Sequence, residues 1–261
     1  MLTERQLETA LDEVGAWIRE NRKTAGVLIE IKEPHMVRTA TLAKRILRDS
    51  KTEQPLAELI AAVHDIAFYV TDVEQGHAQV GYEILRDGLL DRVLDKVYGD
   101  GSVGEKLAER EIILEAVLKH ADLTVDYDQM DPRMALHVKV IRDADMIDSL
   151  DSKLRRIPMV DLLAVKGFSM EDLRTSKVNG PVCLRFLQNE TINYRLCKTP
   201  ADWIVAWNAY LFGLKIPNSV RIARDVLDGV DFFPQEYVDD PSTKVQFREM
   251  NRAITLYLEY M

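Results

Sequence analysis

Apolar residues recur along this chain at three- and four-residue steps, the period of helices with one buried face. Leu2, Leu7, Leu11, Val14 and Ile18 set the pattern in the first segment. Prolines mark helix starts in EPHMVR, EQPLAEL, DPRMAL, TPADW and DPSTKV; a first-turn proline lacks only an N–H that would be unpaired anyway. Thr199-Pro200-Ala201-Asp202 also forms a capping-box pattern, an acid three residues after a hydroxyl. The period predicts helices over 3–22, 34–49, 55–68, 76–97, 105–121, 131–150, 158–166, 169–176, 180–195, 200–213, 217–228 and 241–260. VLIEIK at 27–32 is the best strand candidate, and it lacks a hairpin partner. VYGDGSVGEK, with three glycines, reads as the most flexible connection of the first half, and DGVDFFPQEYVDDPST as an ordered loop near the C-terminus. The expected fold class is all-α.

Length and charge narrow the field. A chain of 261 residues holds one large domain or two modest ones. A net charge of −9 argues against a nucleic-acid duplex as partner, because duplex binding needs a basic surface. A small phosphorylated substrate stays open, since local charge or a metal overrides the net field. Cys183 and Cys197 have no CxxC partner and no neighbouring histidine, and read as buried free thiols in a reducing compartment. The segment MLTERQLETALDEVGAWIRENRK is charged and amphipathic, unlike a signal peptide. No apolar run approaches the ~20 residues of a membrane span. The expectation is a cytoplasmic protein with no membrane partner, and its oligomeric state is not legible.

The histidines carry the chemistry. His35 opens one predicted helix, His64 and Asp65 close another, His77 starts a third, and His120 ends a fourth. His137 lies inside the helix that carries Asp143, Asp145 and Asp148. Imidazoles and carboxylates at helix ends can converge on divalent ions. Consecutive helical residues diverge by about 100°, so His64 could bind one ion while the Asp65 carboxylate reaches toward a second. All five histidines precede residue 140 and these acids end at Asp148. Residues 1–157 therefore read as the chemical half and 158–261 as a helical extension.

This ordered set resembles the HD superfamily of metal-dependent phosphohydrolases, over roughly residues 30–152. HMVRTATLAKRIL is similar to the family's first helix, VHDIAF to its signature, GHAQVGYEIL to its third helix, VLKHAD to its fourth position and VIRDADMIDSL to its terminal motif. The resemblance implies an all-α HD core and a two-metal centre. His35, His64, Asp65 and Asp145 would surround one ion, and Asp65, His77 and His120 the other, with Asp65 as bridging carboxylate and catalytic residue. Asp145 is placed by alignment with the central Ala-Asp of DADMID. The divalent metal could be manganese, iron, nickel, cobalt, zinc or magnesium.

Such a centre clamps a phosphate ester and activates hydroxide near neutral pH, which agrees with the lack of GxSxG and Walker patterns. Arg38, Lys119 and Arg142 are the candidate substrate-binding cations. The basic residue that commonly follows the family signature is missing, because Ala67-Phe68-Tyr69 stand there. Tyr69, Asp72 and Glu74 are candidate proton donors. The acidic pair of stringent-response hydrolases, the Gly-Tyr-Pro of cyclic-dinucleotide phosphodiesterases and the Gly/His-rich loop of deoxyguanosine triphosphohydrolases are absent. A generic phosphohydrolase acting on a nucleotide or other small phosphorylated metabolite remains, with two alternatives: a mixed-valence di-iron oxygenase of the HD type, or a non-catalytic ligand-sensing module. His137 reads as a core histidine or one supporting the ligands, and Asp143 and Asp148 as a solvated face or supporting acids. Phe186, Tyr194, Trp203, Trp207, Tyr210 and Phe212 read as packing against the core, or as a lid over a substrate.

Overall fold

The computed structural model describes residues 1–23, 27–72, 75–99 and 101–260. Among them every regular element is helical and there is no strand. The chain divides into two compact units, Met1–Asp145 and Met146–Met261.

The first unit holds α1 (Glu4–Asn21), α2 (Val27–Ile46), α3 (Gln54–Val63), α4 (His77–Ile84), α5 (Leu90–Tyr98), α6 (Val103–Lys119) and most of α7 (Pro132–Asp151). The Thr3 hydroxyl accepts from the Gln6 amide while the Gln6 side chain returns the bond, which fixes the start of α1. Leu7, Ala10 and Val14 form its buried face. α2 lies along α3, α1 against α3 and α5, and α6 against α4 and α3. The core residues include Ile29, Leu56, Leu59, Ile60, Phe68, Leu90 and Leu94, all essentially solvent-free.

Several predicted boundaries move. The strand candidate VLIEIK forms the first turns of α2, which runs through Pro34 instead of starting there. A two-residue period would bury Ile29 and Ile31 together; Ile29 is fully buried and Ile31 is 38% exposed, so the strand pattern fails. The helix expected over 55–68 ends at Val63, and a separate 3-10 turn, Ile66–Tyr69, follows. The helix expected over 76–97 breaks at Asp87 and Gly88, where Gly88 takes a φ of 134° that side chains rarely adopt. The helix expected over 180–195 stops at Leu187, just before Asn189 turns left-handed at φ 58°. Asp100, in the glycine-bearing connection, lies outside the described residues.

The second unit contains α8 (Met159–Val165), α9 (Met170–Arg174), α10 (Gly180–Leu187), α11 (Pro200–Asn208), α12 (Pro217–Val226) and α13 (Pro241–Tyr260). The capping box at Thr199 and Asp202 is formed, and the buried Asp202 carboxylate also accepts from the Asn179 amide at 2.8 Å. Phe186 meets Phe212 and Phe233, and Phe233 meets Phe247, in an aromatic core belonging to this unit. Tyr194, Trp203, Trp207 and Tyr210 form a second run of ring contacts. Cys183 and Cys197 are free and half-buried; burial first, and then Asp202, push the Cys197 thiol up to about 12. In the loop DGVDFFPQEYVDDPST, Phe232, Phe233 and Val238 are buried, so it is ordered by its own apolar side chains.

Candidate metal centre

Three helix ends and the interior of α2, where His35 sits instead of opening a helix, bring four histidines to one place in the first unit. His64 caps the C-terminus of α3 and His120 that of α6, while His77 begins α4. At each of the two C-caps a main-chain carbonyl fixes the ring. His64 Nδ1 donates to the Ala61 carbonyl at 2.8 Å, and His120 Nδ1 to the Val117 carbonyl at 2.7 Å. A carbonyl can only accept, so Nδ1 carries the proton and Nε2 turns its lone pair to the centre. Asp65 has left the helix, with φ −105° and ψ 21°. That conformation belongs to the sparsely allowed region common at functional sites. Sequence reasoning treats His64 and Asp65 as successive helical residues; the divergence of their side chains comes instead from this unwound backbone.

The Asp65 carboxylate stands between two sets of imidazoles. Its Oδ2 is 3.4 Å from His64 Nε2 and 3.7 Å from His35 Nε2. Its Oδ1 is 3.2 Å from His77 Nε2 and 3.6 Å from His120 Nε2. His35 Nε2 also lies 3.1 Å from Asp145 Oδ1, and the Nε2 atoms of His77 and His120 are 2.9 Å apart. Two donor atoms sharing one divalent ion at about 2.1 Å stand roughly 3.0–3.4 Å from each other; the spacings of 3.1, 3.2 and 3.4 Å match this, and those of 3.6 and 3.7 Å are slightly wider. Ligand atoms of His35, His64 and Asp145 lie within 4.8 Å of one another, as do those of His64, Asp65 and His120. His64 Nε2 is buried and makes no hydrogen bond. A buried lone pair left without a donor is costly in a packed core and is what an ion would relieve.

Electrostatics favour the ionised acids. Burial opposes ionisation of Asp65, but the neighbouring His64 imidazole and Lys32 ammonium hold its carboxyl well below the usual carboxylate range. Burial likewise works against Asp145, and the hydrogen bond and charge of His35 overcome it. Asp65 and His64 are 1% and 0% exposed, whereas Asp145, His77 and Lys32 are 22%, 15% and 22% exposed. The centre therefore opens to solvent on the side of those three residues.

The expected substrate-binding cations are placed differently from one another. Arg142 Nη1 donates to the carbonyls of Lys119 and His120 at 2.7 and 3.0 Å, the last carbonyls of α6. Lys119 pairs with Asp122 at 3.2 Å, and Arg38 is half-buried on α2. Sequence reasoning missed Lys32, whose Nζ donates to Asp65 Oδ2 at 2.7 Å. Its place one helical turn before His35 is the only signal that could have found it. Among the proton-donor candidates, burial and the Glu33 carboxylate raise the Tyr69 hydroxyl to about 12. Asp72 is exposed, and Glu74 lies outside the described residues.

Two side assignments narrow to one of their alternatives. Asp143 and Asp148 are 0% and 2% exposed, which rules out a solvated face. His137 stands away from the ligand cluster: its Nε2 faces Glu53 Oε2 at 2.9 Å, in a network that includes Arg133 and Glu109.

Residues 34–150, which span all of these candidate ligands, match the family model of the HD domain. The chain carries an HD domain. HD domains bind divalent metals and are typical of metal-dependent phosphohydrolases. No curated protein and no solved structure matches the chain. The HD domain thus accounts for the all-α fold of this stretch and for its histidine-aspartate clusters. No helix of the described residues is long and apolar enough to cross a membrane.

Proposed function

We propose that the protein is a metal-dependent phosphohydrolase cleaving a phosphate ester of a nucleotide or other small phosphorylated metabolite. One observation carries the reading: the two oxygens of Asp65 face different imidazole sets, Oδ2 toward His35 and His64 and Oδ1 toward His77 and His120. That is the placement a bridging carboxylate needs. His35, His64, Asp65 and Asp145 would hold one divalent ion, and Asp65, His77 and His120 a second. A bound pair supplies Lewis acidity toward phosphate oxygens and a hydroxide nucleophile at neutral pH.

The chain's own contribution is preorganisation. His64 and His120 enter with their tautomers already set by carbonyls, and Asp65 enters ionised. Donors fixed before substrate arrives need not reorganise during reaction. Arg142 serves this purpose by holding the end of α6, and with it His120, in place. Residues 158–261 are proposed as a helical extension of the catalytic half.

The test is phosphate release from a panel of nucleotides and sugar phosphates, with manganese, nickel, cobalt, iron, zinc or magnesium supplied, in air and without oxygen. Turnover independent of oxygen supports the hydrolase. Turnover that requires iron and dioxygen would replace it with a di-iron oxygenase, for which the same nitrogen and oxygen donors are suited. Ligand binding without turnover under every condition would leave a sensing module.

A further inference from the structure

The family signature in this chain is followed by Ala67-Phe68-Tyr69 and offers no cation. The fold brings one from another helix. Lys32 sits one turn before His35 on α2, so the two side chains leave neighbouring points of the same face. Its ammonium donates to Asp65 Oδ2 at 2.7 Å and lies 4.8 Å from the centre of the Phe68 ring. Phe68 in turn packs on His77, ring centres 5.1 Å apart. The aromatic face and the carboxylate together hold a positive charge at the solvent-open side of the centre.

Oδ2 is also the Asp65 oxygen that faces His64 and His35. An ammonium and a divalent ion on one carboxylate oxygen repel each other strongly at such short range. The four-carbon lysine stem is flexible, and at 22% exposure it has room to turn. Arg142 and Lys119 are committed to α6 carbonyls and to Asp122.

We propose that Lys32 is an exchangeable counter-cation of the centre: it neutralises Asp65 Oδ2 until a divalent ion takes that oxygen, and then turns to a phosphate oxygen of the substrate. The second half rests on the phosphohydrolase reading; the first does not. The Phe68 face keeps the ammonium beside the centre in both positions, so the move is a swing of the stem and not an escape to solvent.

Lys32→Met tests both halves. With its competitor gone, Mn2+ binding, read by titration calorimetry, tightens about tenfold, the size of one charge-assisted hydrogen bond. In the same variant KM for the best ester rises about tenfold and inhibition by inorganic phosphate weakens equally, while kcat changes less. Lys32→Arg keeps the charge and leaves Mn2+ affinity near that of the parent. Circular dichroism verifies folding, and Lys32→Gln repeats the measurement if the methionine variant does not fold. Mn2+ affinity equal to or weaker than the parent's would overturn the exchange. Tighter Mn2+ with unchanged KM and phosphate inhibition would overturn the substrate contact. If the parent releases no phosphate from any ester, the phosphohydrolase reading fails and the substrate contact with it, and the Mn2+ titration still decides the exchange.

Discussion

Replacing Arg142 by methionine separates two roles for a cation near the centre. Its guanidinium donates to the Lys119 and His120 carbonyls at 2.7 and 3.0 Å. Carbonyls in the last turn of a helix have no amide four residues on, and a cation there also meets the negative end of the helix dipole. His120 occupies this C-cap, so loosening it loosens a candidate ligand. Hydrogen bonds to a charged group contribute about 1.5–3 kcal/mol each. Arg142 is half-buried, so water replaces part of what is lost, and about 2 kcal/mol is the expected loss for the pair. For a chain of this size that lowers Tm by about 4–8 °C. Calorimetric melting of Arg142→Met should show this drop, with Mn2+ binding weakened and KM for the ester little changed. Arg142→Lys should recover part of it through one remaining bond. An unchanged Tm together with a raised KM would refute the clamp and make Arg142 a substrate ligand.

Other expectations concern the rest of the first unit. Glu109 is fully buried and accepts from the Leu2 amide at 3.0 Å, from Arg133 Nη2 at 3.2 Å and from the Tyr98 hydroxyl. Glu109→Leu leaves the Leu2 amide and the Tyr98 hydroxyl without this acceptor and Arg133 with Glu53 alone, and should cost about 3 kcal/mol in urea unfolding; a loss below about 0.5 kcal/mol would show that the network contributes little. The hydrogen bond from His137, followed by the charge of Arg133 against the cost of burial, holds the Glu53 carboxyl below its usual range. Its stabilisation is therefore complete above the unfolded-state value of about 4.3 and is lost as pH falls through the lower folded value. The stability difference between the parent and Glu53→Gln should be largest near neutrality and shrink below about pH 4, and a difference that grows with acid would contradict that sign. Gly88, at φ 134°, should resist substitution, with Gly88→Ala losing about 1–2 kcal/mol. Gly104→Ala, in α6 with open space around it, should be neutral or stabilising by the same unfolding assay.

Several helix starts, though not that of α2, and the candidate ligand cluster are the legible parts of this sequence, for different reasons. Caps such as Thr3 and Thr199 act on amides two or three residues away, so their signal is local and survives without tertiary knowledge. The candidate ligand cluster is legible because its histidines come in a fixed order, with His64, His77 and His120 at helix ends, although His35 lies inside α2 and not at its start. What the sequence hides is long-range or conformational. VLIEIK mimics a strand by alternation, and only the burial of Ile29 against the exposure of Ile31 reveals the helix. Lys32 reaches Asp65 across 33 positions, and Arg142 reaches the end of α6 across more than 20, with no motif to announce either. The pairing of His137 with Glu53 across 84 positions is equally silent, so His137 could be set aside from the ligands only for lack of a motif match. The burial of Asp143 and Asp148 follows from what packs on α7, which helical spacing does not contain.

Metal content per chain, measured by elemental analysis beside Asp65→Ala, tests the central claim most directly. A carboxylate serving both imidazole sets predicts about two divalent ions in the parent and a clear loss in the variant. A parent that binds no metal after divalent ions are supplied, or an Asp65→Ala variant that retains the parent's full content, would contradict the bridging site.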